Sequence, residues 1–141
     1  MKGCYCLIIH VKKYSKIRIG ARLGYLEFKR GIYVYVGSAM NSLESRLTRH
    51  LSSKKKMHWH VDYLLKSRNT KILDIIYNTD RKVECEISQY LSSKTRGITD
   101  FGCSDCECES HLYYFKNRNE AIECVKDAYD SIAMDYDFFK I

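Results

Sequence analysis

Between Gly31 and Leu51 the hydrophobic period of the chain changes from two to about 3.6 residues, and this switch limits the possible folds more than any other feature. Residues 31–39 read Gly-Ile-Tyr-Val-Tyr-Val-Gly-Ser-Ala. Ile32, Val34 and Val36 alternate with Tyr33 and Tyr35, so a strand here has one aliphatic face and one face bearing two phenols. Gly37 and Ser38 break the alternation. Leu43, Leu47 and Leu51 then recur every fourth residue, as on a helix with one buried face. Asn41, three residues ahead of Glu44, is the expected capping pair. Arg46 and His50 lie one turn apart on that helix beside the leucines. A strand-end phenol, a guanidinium and an imidazole are therefore expected to converge on one shallow cleft.

The rest of the chain supplies partners for this unit. The apolar run at residues 3–11, Gly-Cys-Tyr-Cys-Leu-Ile-Ile-His-Val, is expected to be a central strand buried on both faces. Residues 12–20 are basic and end at Gly20, which marks a loop or turn; Leu23 to Phe28 resumes alternation. With residues 3–11 and the tyrosine strand, this segment should complete a three-stranded antiparallel meander. His58 to Leu65 reads as a short helix and Lys71 to Tyr77 as a strand. Asp80 is the expected cap of a helix striped by Val83, Ile87, Tyr90 and Leu91. Glu84 and Glu86 flank that stripe on opposite sides, and a rotation of about 100° per residue does not choose between them. An irregular loop from Gly97 to Ser110 precedes a strand at His111 to Phe115. Asn117 and Glu120 open a last helix whose buried face is Ile122, Val125, Tyr129 and Ile132. The expected class is α/β of the α+β type, a small three-stranded antiparallel sheet flanked by helices, with an extra C-terminal strand and helix. At 141 residues with no proline, no repeat and no linker, residues 1–141 should form one domain.

The net charge of +7 is unevenly divided. Residues 1–83 hold 18 Lys/Arg against 5 Asp/Glu, whereas residues 84–141 hold 6 against 12. A basic front half suits a polyanion such as nucleic acid, and twelve tyrosines supply stacking surfaces. The run Lys54, Lys55 and Lys56, with Arg49 on the preceding helix, is the expected phosphate-contacting region. No stretch is long and apolar enough to span a bilayer, and the N-terminus is too brief for a secretory signal, so a cytoplasmic location is expected.

Seven cysteines in such a chain read as reduced thiols or metal ligands. Cys103-x-x-Cys106-x-Cys108-x-x-His111 has the most metal-like spacing: three thiolates and an imidazole could close a tetrahedral structural zinc site, with Cys85 as a substitute ligand. The other reading is thiols packing a loop. His58 and His60 flank Trp59, but residues two apart on a helix face different ways, so His58 should pair with Asp62 and the segment should serve packing.

These residues resemble the GIY-YIG nuclease family, and within it a small, mostly archaeal branch of domains of unknown function, sometimes fused to endonuclease III. Gly3-Cys4-Tyr5 stands at the first motif and Tyr35-Val36-Gly37 at the second, with Arg46 and His50 in the helix that follows. The segments His58 to Tyr63, Glu84-Cys85, Gly102 to Cys106 and Ser110 to Leu112 look like marks of the branch. Gly31-Ile32-Tyr33 spells the first motif literally. Yet Tyr33 and Tyr35 sit two apart on one strand, whereas the family sets its two tyrosines on neighbouring strands. Tyr5 is thus the better partner, and a longer insertion separates the motifs.

The resemblance implies a metal-dependent DNA endonuclease that hydrolyses phosphodiester bonds in repair or recombination. Tyr5 and Tyr35 would surround the attacking water, and Arg46 would stabilise charge at phosphorus. His50 would position or deprotonate a tyrosine or the water. Glu84, three residues before Ile87, would hold Mg2+ or Mn2+. Ser38 stands where many relatives have Lys or Gln, and the Asn and Pro that often follow the glutamate are missing, which implies weak or narrow activity. The alternative is a non-catalytic nucleic-acid-binding or adaptor module on the same scaffold, including a zinc-stabilised adaptor docking on a repair enzyme.

Overall fold

The computed structural model describes residues 1–102 and 108–141. Strand β1 (Gly3–Val11) is the apolar run of the N-terminus, and it is central because both of its edges and both of its faces are covered. The tyrosine strand β4 (Gly31–Ala39) pairs with it on one side, and β5 (Thr70–Thr79) pairs on the other. Strand β6 (Leu112–Phe115) extends from β4, and the short β7 (Asp137–Phe138) extends from β5. Among the described residues the main sheet therefore has five strands in the order β6-β4-β1-β5-β7, each neighbour antiparallel.

This sheet is larger than the three strands expected, and the expected meander does not form. Residues 25–28 stay out of the main sheet. As β3 (Tyr25–Phe28) they pair with β2 (Ser15–Arg18), which lies in the stretch read as a basic loop; the short helix α1 (Gly20–Leu23) joins the two. Length and burial explain the choice. The nine residues of β4 match the nine of β1 and are apolar toward both sides, whereas β3 has four residues and only one inward face.

Period-two alternation sorts the sheet residues onto two cores. Tyr5, Leu7, Ile9, Tyr33 and Tyr35 face one side, where Leu43 and Leu47 of α2 (Leu43–Leu51) and Val61 and Leu64 of α3 (His60–Lys66) bury against them. Cys4, Cys6, Ile8, Ile32, Val34 and Val36 face the other, beneath α4 (Glu84–Lys94) and α5 (Arg118–Ser131). The expected stripes hold in part: Val83, Ile87 and Leu91 are buried, and on α5 Val125 and Tyr129 are buried with Ala121 and Ala128, while Ile122 and Ile132 are only partly covered. Leu51, at 37% exposed, lies beyond the leucine seam. Each fully buried leucine contributes roughly 2 kcal/mol of transfer free energy.

Two caps differ from expectation. Ser42, not Asn41, caps α2: its side chain accepts the Ser45 N–H at 3.2 Å, which starts the helix with Leu43 facing the core. Asp80 does not cap α4. It adopts a φ of 71° and donates its N–H to the Lys2 carbonyl at 2.8 Å, so it turns the chain at the end of β5, and Val83 immediately precedes the helix. Asn117 caps α5 as expected, accepting the Glu120 N–H at 2.9 Å. Helix α3 begins at His60, two residues later than its pattern suggests. No helix among the described residues is long and apolar enough to cross a membrane.

Candidate active site

Register builds the site. Tyr5 on β1 stands opposite Gly37 on β4. A Cβ at position 37 would lie 2.6 Å from both Cζ and Oη of Tyr5, so only glycine leaves room for this ring. Its hydroxyl reaches α2, where Oη lies 2.7 Å from Nε2 of His50 in a buried hydrogen bond. Gly3 is constrained in the same way, because a Cβ there would collide with the Asn78 carbonyl oxygen on β5. Tyr35 completes the ring cluster, with centroids 6.4 Å from Tyr5 and 6.2 Å from His50. Tyr33 points elsewhere: its hydroxyl donates to the Lys29 carbonyl at 2.9 Å and its ring packs on Phe28 and Tyr114.

Helix α2 brings two arginines to one indole. Arg46 donates from Nη1 to the Ser38 carbonyl at 2.8 Å, just past Gly37, and its guanidinium lies 4.2 Å from the Trp59 ring centroid. Arg49 lies 4.4 Å from the same centroid and donates through Nη1 and Nη2 to the two carboxylate oxygens of Asp62, each at 3.0 Å. Asp62 is 0% exposed, and its Oδ2 also accepts the N–H groups of His58 and Trp59 at 2.9 Å. A fully enclosed carboxylate thus fixes the segment ahead of α3 as a wall. The expected pairing of His58 with Asp62 exists, but it runs through the backbone.

Tyr5, Tyr35, Arg46, Trp59, Glu84 and His111 line one cleft of about 460 Å³. His50 sits behind Tyr5, buried, and does not line that cleft. A larger and more open concavity of about 780 Å³ lies between α4, β6 and α5, and none of the candidate catalytic residues borders it. Glu84, partly buried in the first turn of α4, has Oε1 3.4 Å from Lys82 Nζ. Glu86 is exposed and off the cleft lining.

A family model described as "Domain of unknown function DUF123" matches residues 4–134. The chain belongs to this family. No curated protein and no solved structure matches the chain. Within this DUF123 domain the match runs from β1 to just beyond α5, so it takes in every residue of the cleft.

Burial sets the protonation states of the DUF123 cleft. It pushes the Tyr5 and Tyr35 phenols well above the usual tyrosine range; the Arg46 charge pulls both back in part, and Glu84 adds to the rise. Burial also lowers His50 to about 3, helped by the charge of Lys55. His111, which shares a 2.8 Å hydrogen bond between Nδ1 and Ser88 Oγ, is likewise lowered by burial, with Glu84 opposing. His60 accepts the Gly102 N–H on Nδ1 at 2.8 Å and is lowered by burial and by Arg22. The resting site is thus built of neutral phenols and neutral imidazoles beside a fixed guanidinium.

Of the four cations expected to meet phosphate, Lys54 and Lys56 are exposed, whereas Arg49 and Lys55 are engaged within the molecule. Lys55 Nζ donates to the carbonyls of Arg49 and His50, at 3.2 and 2.8 Å, closing the C-terminal end of α2. Of the expected zinc ligands, Cys103 and Cys106 lie outside the described residues. Cys108 is partly buried, and His111 bonds Ser88. Among the described residues no group of three or more His, Cys, Asp or Glu side chains is arranged to hold a metal ion. Lys82, His60 and Gly102 line the cleft without having been expected there. His60 and Gly102 lie in segments that the sequence singled out for other reasons, whereas Lys82 had only its place two residues ahead of Glu84 to point to it.

Proposed function

We propose that this domain is a metal-dependent DNA endonuclease of the GIY-YIG type, acting in repair or recombination. The observation that carries the reading is the meeting of Tyr5, Tyr35, Arg46 and Glu84 in one cleft, with His50 bonded to Tyr5 from behind. The register of Tyr5 against Gly37 supports Tyr5, and not Tyr33, as the partner of Tyr35. The donor set fits a hard divalent ion. Mg2+ is usually held by one or two carboxylates together with waters and substrate phosphate, and Glu84 offers one partly buried carboxylate at the cleft. Bound at Glu84, Mg2+ or Mn2+ would polarise the phosphate and lower the pKa of water.

The residues of the chain do the rest. Water attacks phosphorus, its proton must leave, and a deoxyribose oxygen departs. With its phenol pushed up and its imidazole pushed down, the Tyr5–His50 pair resists ionising one member at a time. Both members therefore stay neutral and the pair is suited to positioning: the 2.7 Å bond between Tyr5 Oη and His50 Nε2 fixes the phenol oxygen as a holder of the attacking water, whose proton passes to solvent at the open cleft. Arg46 keeps its donors beside the place where negative charge grows, and its hold on the Ser38 carbonyl and on Trp59 preorganises it. Lys54 and Lys56 supply nonspecific attraction to the backbone.

Cleavage of plasmid and branched duplex with Mg2+ or Mn2+ tests this reading, comparing the wild type with Tyr35→Phe, Arg46→Ala and Glu84→Ala at matched DNA occupancy. Loss of roughly 100-fold or more in each variant, with binding retained, is expected. A wild type that binds every structure and cuts none makes the domain a non-catalytic binding module.

A further inference from the structure

The insertion between the two tyrosine motifs has a face that the main fold leaves unpartnered. In the β2–β3 hairpin Ser15 pairs with Phe28 and Ile17 with Leu26, and these residues point inward to the core on α3's side. The alternate pairs, Lys16 with Glu27 and Arg18 with Tyr25, point outward. All four are exposed, Tyr25 at 64%, and the neighbouring Tyr14 is 55% exposed. A tyrosine in a strand normally covers a core; this one covers nothing of its own fold. Lys16 Nζ stands over the Tyr25 ring, 5.9 Å from its centroid, so a cation and a largely exposed aromatic surface share this face. Residues 12–30 carry seven Lys/Arg and one acid, Glu27, whose Oε1 accepts the Tyr14 hydroxyl at 2.6 Å.

The hairpin also adjoins the cleft. At its turn a Cβ on Gly20 would lie 3.7 Å from the Tyr63 ring of α3, the helix that starts with His60 on the cleft wall. Arg22 lies close enough to lower the pKa of His60.

We propose that the outer face of the β2–β3 hairpin binds unpaired nucleotides of a nucleic acid, stacking a base on Tyr25 while Lys16 and Arg18 contact the flanking phosphates. An exposed phenol ring suits an unstacked base, since a base inside a duplex has no free face to offer. The clustered cations suit the backbone on either side of it. The inference deepens the nuclease reading and rests on it for one point only, the substrate class: DNA carrying a single-stranded arm next to the bond that is cut.

The test is fluorescence anisotropy of the full chain, without divalent metal so that nothing is cut. The probes are a labelled forked duplex with single-stranded arms, a single strand and a fully paired duplex. Tyr25→Ala should weaken the fork and the single strand about tenfold and leave the paired duplex unchanged. Tyr25→Phe, which keeps the ring, should restore both. Lys16→Ala with Arg18→Ala should lower the salt dependence on single strands by a slope of about 1.4. All of these side chains are exposed, so thermal unfolding should stay within a few degrees of wild type. Wild-type affinity of Tyr25→Ala for the fork overturns the proposal, as does an equal loss on all three probes. A chain that binds forks through Tyr25 but never cuts them sinks the nuclease reading and leaves the hairpin surface standing; a chain that cuts with no dependence on Tyr25 does the reverse.

Discussion

The buried imidazole of His50 makes stability fall as the solution is acidified through the histidine range. His50 is 2% exposed, and burial holds it at about 3 in the folded protein, against about 6.5 in the unfolded chain. The direction follows from proton counting. Between these two values the unfolded chain binds a proton that the folded one refuses, so acid favours unfolding, and the stabilisation is complete only above pH 6.5. At pH 5 the loss from this one group is about 2 kcal/mol relative to neutral pH. That number depends only on the unfolded value, provided that the folded one lies well below 5. It corresponds to a fall in Tm of about 6 °C for a domain of this size. His60 and His111 are lowered too and act with the same sign, so the wild type should lose more than this in total. The measurement is urea unfolding at pH 7.5 and pH 5.0 for the wild type and for His50→Gln, whose amide does not titrate. The variant will be less stable at both values because its bond to Tyr5 is altered, but the difference between the two pH values should shrink by about 2 kcal/mol. An unchanged difference would refute the assignment of a neutral, buried His50.

Three further outcomes follow from the same geometry. Gly37→Ala drives a methyl group against the Tyr5 ring and should cost about 2–4 kcal/mol by urea unfolding; in a Tyr5→Leu background the same change should cost less than 1 kcal/mol, and equal costs in both backgrounds would show that the Tyr5 ring is not what requires glycine. Arg49→Met leaves the enclosed Asp62 carboxylate with only backbone donors and should cost about 2–3 kcal/mol, with the loss read by thermal unfolding at neutral pH; because the Arg49 bonds help hold the carboxylate below its usual range, the cost should shrink in acid as Asp62 takes up a proton. If the domain cuts DNA, the rate at saturating substrate should show no acid limb near pH 6.5 from His50, and a limb there that vanishes in His50→Gln would contradict a neutral, buried His50.

The parts of this fold that were legible in the sequence are those in which local pattern and tertiary demand coincide. The apolar run of β1 could only be central, and the alternation of β4 assigned each side chain to its correct core. Asn117 and Glu120 marked a helix start because side-chain capping is a local interaction. Some misreadings were small shifts of a helix start, Ser42 for Asn41 and His60 for His58; the larger ones turned on what a segment meets elsewhere in the chain. Residues 25–28 alternate as well in a separate hairpin as in a meander, and nothing within four residues tells which strand will lie beside them. Asp80 is a good cap by type, but the turn that closes β5 onto the Lys2 carbonyl claims it first. The site followed the same division. Tyr35, Arg46 and His50 were legible from strand and helix spacing, whereas Tyr5 came from the family resemblance; spacing left Glu84 and Glu86 equivalent, the resemblance favoured Glu84, and the rotation of α4 about its axis puts Glu84 and not Glu86 on the cleft.

Arg46 and Arg49 show why spacing alone cannot assign a charge to a task. They sit three residues apart on α2 and reach the same indole at nearly equal distances, 4.2 and 4.4 Å. A sequence scan counts both as cations. Their partners separate them: Arg49 is held by both oxygens of a fully buried carboxylate, so its charge is neutralised within the molecule and its work is to lock the wall carrying Trp59. Arg46 bonds a neutral carbonyl and lies over an aromatic face, and among the described residues it has no carboxylate partner. Its positive charge is therefore positioned without being cancelled. An anion entering the cleft need not displace an internal ion pair to meet that charge; the field is opposed in part by Glu84 across the same cleft, which a bound cation would offset, and a charge so placed can favour a transition state more negative than its substrate.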